Sequence, residues 1–255
     1  MLEIIQIPVL NDNYVYVLND VEFGSAAVVD PAEAGPVFEE LDRHGWRLDY
    51  ILNTHHHSDH VGGNLELKQG TGCRILGAAA DAARIPGIDR GLVDGDEFVL
   101  GGNRAEVIEV AGHTGGHIAY WFADQDALFC GDTLFGLGCG RLFEGTAEQM
   151  WASLDKIRRL PPSTRIYCAH EYTRANGRFA RTVEPGNAEL LRRLAEVDEL
   201  RADGQPTVPS TLAEELATNP FLRPEIPEIR ERLGLQDAEN WKVFARLREM
   251  KDGFR

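Results

Sequence analysis

The chain has 255 residues, 43% of them hydrophobic, a composition that excludes a disordered protein and is long enough for a domain of about 150 to 175 residues plus a smaller one. Lys plus Arg 26 against Asp plus Glu 41 gives a formal charge of -15, which argues against non-specific attraction to nucleic acid or anionic lipid. The four cysteines, Cys73, Cys130, Cys139 and Cys168, lack CxxC spacing, which excludes a zinc knuckle and a disulfide framework; Cys130 and Cys168 lie in apolar runs and read as small core residues.

The N-terminal MLEIIQIPVLNDNY has no basic segment followed by an apolar stretch and cleavage site, and nothing downstream approaches membrane-spanning length. A cytoplasmic protein without a membrane partner is expected. Up to about residue 172, short apolar, β-branched runs alternate with amphipathic stretches. Strands are expected at YVYVL, GSAAVV, YILN, RILG, AEVIEV, AYWFA, ALFC and RIYCA, and helices at PVFEELDRHG and TAEQMWASLDKIRRL.

The tail differs. NAELLRRLAEVDELRADG sets Leu190, Leu194 and Val197 at helical spacing, STLAEELATN offers Ser210 or Thr211 as an N-cap, and AENWKVFARLREMKDG carries Val243, Leu247 and Met250 on one stripe. The expected division is therefore 1–172, mixed α and β, and 173–255, helical. No internal repeat is visible.

THHHSDHVGG, Thr54 to Gly63, follows the apolar Tyr50, Ile51 and Leu52. Several titratable rings and a carboxylate in one turn are costly unless something binds them, and a divalent cation takes neutral imidazoles and carboxylates as natural ligands. Three more apolar runs end in a possible ligand: AEVIEVAGH at His113, ALFCGD at Asp132 and RIYCAH at His170. Strand ends gather along one sheet rim, so His55, His57, Asp59, His60, His113, Asp132 and His170 are expected together. Seven donors exceed one tetrahedral ion and suit two ions about 3.5 to 4 Å apart. With nitrogen and oxygen donors only, zinc is expected, with iron(II) and manganese open.

These motifs, HxHxDH, GHTGGH, the GDT of FCGDTLF and the last His of CAHEY, resemble the metallo-β-lactamase superfamily over roughly residues 1 to 172. The resemblance implies an α+β fold, a four-layer αβ/βα sandwich followed by a smaller α-helical C-terminal domain. It puts His55, His57 and His113 on one metal, Asp59, His60 and His170 on the other, and Asp132 between them. His56 should point away by alternation, His44 sits in the polar DRHGW turn, and His117 reads either as support for a ligand or as nothing. Asp30, in VVDPA, matches the superfamily's buried acid behind the ligands, and reads equally as a strand-ending Asp-Pro turn.

The metal motif alone leaves thioester, lactam, lactone and phosphodiester hydrolysis open. GCGRLFEGTAEQM, AHEYTRANGRFARTVEPGN, TNPFLR and RLREMKDGF are similar to glyoxalase II, the hydroxyacylglutathione hydrolase family, across the whole chain. That resemblance implies hydrolysis of S-D-lactoylglutathione to D-lactate and glutathione, the second step of methylglyoxal removal, by a hydroxide held between the metals, with Asp59 and Asp132 as the catalytic carboxylates. The glutathione contacts carry over to Arg141, Phe143, Tyr172, Arg248 and Lys251. The family often has Lys at Arg141 and an aromatic hydroxyl at Phe143, so weaker or differently shaped substrate binding is expected.

Phe244, Arg248 and Lys251 fall at i, i+4 and i+7, one helix face. On the residues alone these cations read as a solvated helix end complementing the dipole; the resemblance makes them holders of the glutathione carboxylates. The nearest rival is a glutathione persulfide dioxygenase with one iron, for which His55, His113 and Asp132 could serve. The small-molecule thioester is the expected partner, and the protein is expected to be a monomer that binds no nucleic acid.

Overall fold

A computed structural model describes residues 1–254. Its chain opens with β1 (Leu2–Val9) and β2 (Asn13–Asp20), paired antiparallel with Val9 opposite Asn13. Next come β3 (Ser25–Val29), α1 (Gly35–His44), β4 (Leu48–Leu52), the short α2 (Ser58–Val61), α3 (Asn64–Thr71), β5 (Arg74–Ala78) and β6 (Arg90–Leu92). The six strands form one sheet in sequence order, with β3 to β6 parallel. Parallel strands need crossovers, which α1 and the α2–α3 segment provide. α1 starts on Pro36 and stops at Gly45, whose left-handed φ of 65° suits a glycine C-cap. Val37 and Leu41 of α1 and Leu67 of α3 pack with Val28, Ile51 and Ile75 in one apolar cluster on the sheet.

A second sheet follows, built from β7 (Glu97–Leu100), β8 (Asn103–Glu109), β9 (Ile118–Phe122) and β10 (Ala127–Gly131), paired antiparallel in the order β10-β9-β8-β7. The Tyr16 ring meets Phe129 edge-on at 5.4 Å and Tyr50 meets Phe98 at 5.1 Å, so the two sheets stack on a shared apolar face. β2 is buried along its whole length.

The chain divides into two compact units, Met1–Glu109 with Gly115–Gly131, and Val110–Thr114 with Asp132–Arg255. The second unit holds the hairpin β11 (Leu134–Phe135) and β12 (Gly138–Cys139), then α4 (Ala147–Arg158), β13 (Arg165–Cys168), α5 (Thr173–Val183), α6 (Ala188–Ala202), β14 (Ser210–Thr211), α7 (Leu212–Thr218), α8 (Pro227–Leu233) and α9 (Asn240–Asp252). Its core stacks Phe221 between Phe179 at 5.8 Å and Phe244 at 6.0 Å, with Trp151 of α4 at 6.4 Å from Phe244. No helix among the described residues is long and apolar enough to cross a membrane.

The strands and helices expected from periodicity are present. The structure adds β1, β6, β7, β11, β12, β14, α2, α3, α5 and α8; the face of β1 is broken by Glu3 and Gln6, and the TRANGRFARTV of α5 has Asn176 and Gly177 inside the helix. Gly177 is there because a Cβ would run into the Leu194 side chain of α6, so packing overrides its poor helix propensity. Of the two cap residues offered by the sequence, Thr211 caps α7: its hydroxyl accepts from Glu214 N, and the Glu214 carboxylate accepts from Thr211 N at 2.8 Å. Thr211→Ala should cost about 1 kcal/mol and lower Tm by about 2–4 °C in thermal unfolding.

Candidate active site

The histidine loop begins where β4 ends. Asn53 is fully buried; its backbone carbonyl accepts from the Tyr120 hydroxyl at 3.0 Å and its side-chain amide donates to the His60 carbonyl at 3.0 Å. These bonds curl Thr54–His60 back over the strand end, and His57 becomes the extended N-cap of α2. Gly62 and Gly63 close the turn, because a Cβ at Gly62 would strike the Ala32 carbonyl.

Beneath the loop lies Asp30, 3% exposed and in the left-handed region at φ 49°. One of its carboxylate oxygens accepts from Thr54 N at 2.8 Å, and the other accepts from the Thr54 hydroxyl at 2.7 Å and from His60 Nδ1 at 3.0 Å. The Thr54 hydroxyl gives its only proton to Asp30, so toward His55 Nδ1, 3.0 Å away, its oxygen accepts. Both His55 and His60 therefore carry their proton on Nδ1 and present a lone pair at Nε2. Asp30 is thus a buried acid hydrogen-bonded to Thr54 and His60, which is more than a plain turn residue does.

His55 Nε2 faces His57 Nδ1 at 3.1 Å, and His60 Nε2 faces the Asp59 carboxylate at 3.7 Å. Asp59 is oriented by Asn13, whose amide donates to its carboxylate at 3.1 Å. Asp30, His55 and His60 offer ligand atoms all within 4.8 Å of one another. His56 turns away to the buried Asp81 at 2.8 Å, as alternation predicts. His117 stacks on the His55 ring at 4.6 Å and 18°. His44 lies against Trp46, remote from this group in the chain and in contacts.

The second unit assembles three more donors. His113 donates from Nδ1 to the Arg141 carbonyl at 2.8 Å, so its Nε2 lone pair faces the Asp132 carboxylate at 3.3 Å. His170 Nε2 lies 3.4 Å from the other Asp132 oxygen. Asp132 thus sets one oxygen against each imidazole. Two acceptors facing each other repel unless a proton or cation lies between them, and a divalent ion suits nitrogen and oxygen donors of this kind. The Asp132 turn is tight, since a Cβ at Gly140 would overlap the Asp132 carbonyl.

His113 and Asp132 also line a cavity of about 340 Å³ in this unit, together with Arg141, Phe143, Tyr172, Arg248 and Lys251. All five expected substrate residues therefore meet in one pocket. Tyr172 stacks parallel on His170 at 4.7 Å, and Phe143, 62% exposed, sets its ring edge-on to His113 at 5.1 Å. Arg248 donates to the Cys139 carbonyl at 2.9 Å and pairs with Asp252 at 2.9 Å. Burial and the charges of Arg248, Arg141 and Arg178 hold the Lys251 amine below the ordinary lysine range.

Burial pushes the Cys139 thiol to about 11, which keeps it protonated and removes it as a nucleophile near neutral pH. Asn13, Thr54 and Arg178 are not singled out in the sequence, although Thr54 opens THHHSDHVGG and Arg178 lies within AHEYTRANGRFARTVEPGN. Because Thr54 fixes the His55 tautomer, Thr54→Val should weaken metal binding by about 10- to 100-fold in chelator competition, with the fold retained.

Residues 10–170 match the family model described as the metallo-beta-lactamase superfamily, and residues 171–254 that described as the hydroxyacylglutathione hydrolase C-terminus. The chain is 64% identical to a hydroxyacylglutathione hydrolase of Methylococcus capsulatus, covering 100% of both chains. It is 54% identical to the one of Rhodospirillum rubrum, covering 99% of each. Among solved structures, ETHE1 from Myxococcus xanthus superposes with a TM-score of 0.66 at 22% identity, covering 99% of this chain and 100% of that one. The BLEG-1 B3 metallo-beta-lactamase gives 0.66 at 22% identity over 87% of this chain and 99% of its own. These likenesses show the metallo-β-lactamase fold with a helical C-terminal part.

Proposed function

Since the chain belongs to the hydroxyacylglutathione hydrolase family of the metallo-β-lactamase superfamily, and is thereby a thioester hydrolase, we propose that it hydrolyses S-D-lactoylglutathione and related S-2-hydroxyacylglutathiones. The products are glutathione and D-lactate, in the second step of methylglyoxal detoxification. The observation that carries this reading is the pocket of the second unit, where Arg141, Arg248 and Lys251 share a lining with His113 and Asp132. S-D-lactoylglutathione brings two carboxylates and a thioester, and such a lining offers cations for the first and metal donors for the second.

The fold implies divalent metal ions. In this reading His55, His57 and His113 would hold one ion and Asp59, His60 and His170 a second, with Asp132 available to both; zinc would suit these nitrogen and oxygen donors, with iron(II) or manganese as substitutes. Bound there, the ions supply hydroxide near neutral pH and Lewis acidity for the thioester carbonyl. The protein's own groups do the rest. Nδ1 protons of His55, His60 and His113 stay fixed on Thr54, Asp30 and the Arg141 carbonyl, so each ring keeps its Nε2 lone pair through the cycle.

Arg248 is half committed to Asp252 and the Cys139 carbonyl, yet its fork retains N–H groups for a substrate carboxylate. Lys251 and Arg141 complete the anchor, Tyr172 lies along the substrate, and Phe143 contributes a ring edge where a hydroxyl would add a hydrogen bond. Glutathione leaves as a thiolate, so no strong general acid is required. Residues 1–172 then act as the catalytic part and 173–255 as the substrate-binding part of a cytoplasmic monomer, and the charge of -15 supports a small-molecule role rather than a nucleic-acid or membrane one.

Decay of S-D-lactoylglutathione with purified protein tests the assignment: thioester loss without oxygen uptake supports it, and oxygen uptake with glutathione persulfide instead would replace it with an iron dioxygenase. Arg248→Ala should raise KM by about 10- to 100-fold with kcat little changed, whereas Asp132→Ala should lose metal and turnover together. A lowered Lys251 means that its positive charge is lost at a pH below that of an ordinary lysine. KM should therefore climb on the alkaline side, and Lys251→Arg, which stays charged, should move that climb to higher pH.

A further inference from the structure

The turn between β11 and β12, whose strands pair Leu134 with Cys139 and Phe135 with Gly138, makes several hydrogen bonds with side chains of the tail. Leu137 sits there at φ 57°, a left-handed conformation that a leucine rarely adopts. Its N–H donates to Glu215 at 2.9 Å. The Asn219 amide donates to the Phe135 carbonyl at 3.2 Å and the Gly138 carbonyl at 3.0 Å, and Asn176 donates to the Gly136 carbonyl at 3.1 Å. Gly136 and Gly138 leave room for this, because a Cβ on them would overlap Thr173 and Asn176.

Asn219 is itself fixed. It is fully buried, its side-chain oxygen accepts from Phe221 N at 3.0 Å, and that bond forces the amide nitrogen toward the hairpin. Glu215, also fully buried, accepts from Asn219 at 3.0 Å, from the Ser210 hydroxyl at 2.6 Å and from the buried Arg193. An ion pair of this kind is weak evidence for stability, and here it orients an amide. The far strand of the hairpin ends at Cys139, whose carbonyl takes the Arg248 guanidinium, and two residues later comes Arg141.

We propose that Asn219, oriented by Glu215 and Arg193, is a positioning residue for substrate binding: by clamping the Phe135–Gly138 turn it sets the Cys139 carbonyl that aims Arg248 into the pocket. The inference rests on the glutathione-thioester reading above and adds a residue that touches neither metal donors nor substrate.

The test uses metal-loaded enzyme and S-D-lactoylglutathione. Asn219→Ser keeps an oxygen for Phe221 N and loses the reach to the hairpin carbonyls; KM should rise about tenfold with kcat and metal content unchanged. Combined with Arg248→Ala, it should add little to the KM of Arg248→Ala alone, because both act through one guanidinium. Ser210→Ala, which removes one bond from Glu215, should raise KM about threefold and decides the matter if Asn219→Ser does not fold. A lower Tm with unchanged KM, or fully additive KM effects in the double variant, would overturn the proposal while leaving the thioesterase reading intact. No thioester turnover by the parent enzyme would overturn both.

Discussion

One carboxylate, that of Asp30, takes hydrogen bonds from the Thr54 backbone, the Thr54 hydroxyl and His60 Nδ1. Through them it fixes the Nδ1 proton of His60 directly and that of His55 by way of Thr54. The cost is local: Asp30 holds a left-handed φ of 49°, and such a conformation persists when surrounding bonds over-determine it. The sheet beneath supplies the rigidity. Val28 and Ile51, on neighbouring parallel strands, are fully buried, and Asp30 N donates to the Leu52 carbonyl at 3.1 Å, so the ends of β3 and β4 next to Asp30 and Thr54 are tied together.

The same device recurs in the second unit with a different acceptor. There a backbone carbonyl, that of Arg141, takes the Nδ1 proton of His113. Arg141 also lines the pocket, so the segment whose carbonyl takes the His113 proton is the segment that presents a guanidinium there. This stretch, Asp132 to Phe143, donates a hydrogen bond to Glu215 of α7 and accepts others from Asn219 and from Arg248 of α9.

Much of this was legible in the sequence. HxHxDH after an apolar run announces a metal site because no other use of that many rings in one turn satisfies them, and the strands around it follow from simple alternation. Arg248 and Lys251 are ambiguous by spacing alone; only the family resemblance marks them as candidates for the substrate carboxylates, and both line the pocket. What stayed hidden depends on distant partners. Asn13 reaches Asp59 across 46 residues and Asn219 reaches Gly138 across 81, separations at which composition and periodicity say nothing. α5 escaped for a related reason, since Gly177 suits its helix only once Leu194 of α6 is in place.

The central claim is that Asp30 and Thr54 hold the Nδ1 protons of His55 and His60 so that Nε2 faces the metal. Nitrogen-15 NMR of histidine-labelled protein loaded with cadmium-113 reads this directly, because metal–nitrogen coupling identifies the ligating atom. Coupling at Nε2 of His55 and His60, with a bound proton on each Nδ1, is the predicted result. Coupling at Nδ1 of either ring, or a proton on its Nε2, would contradict it.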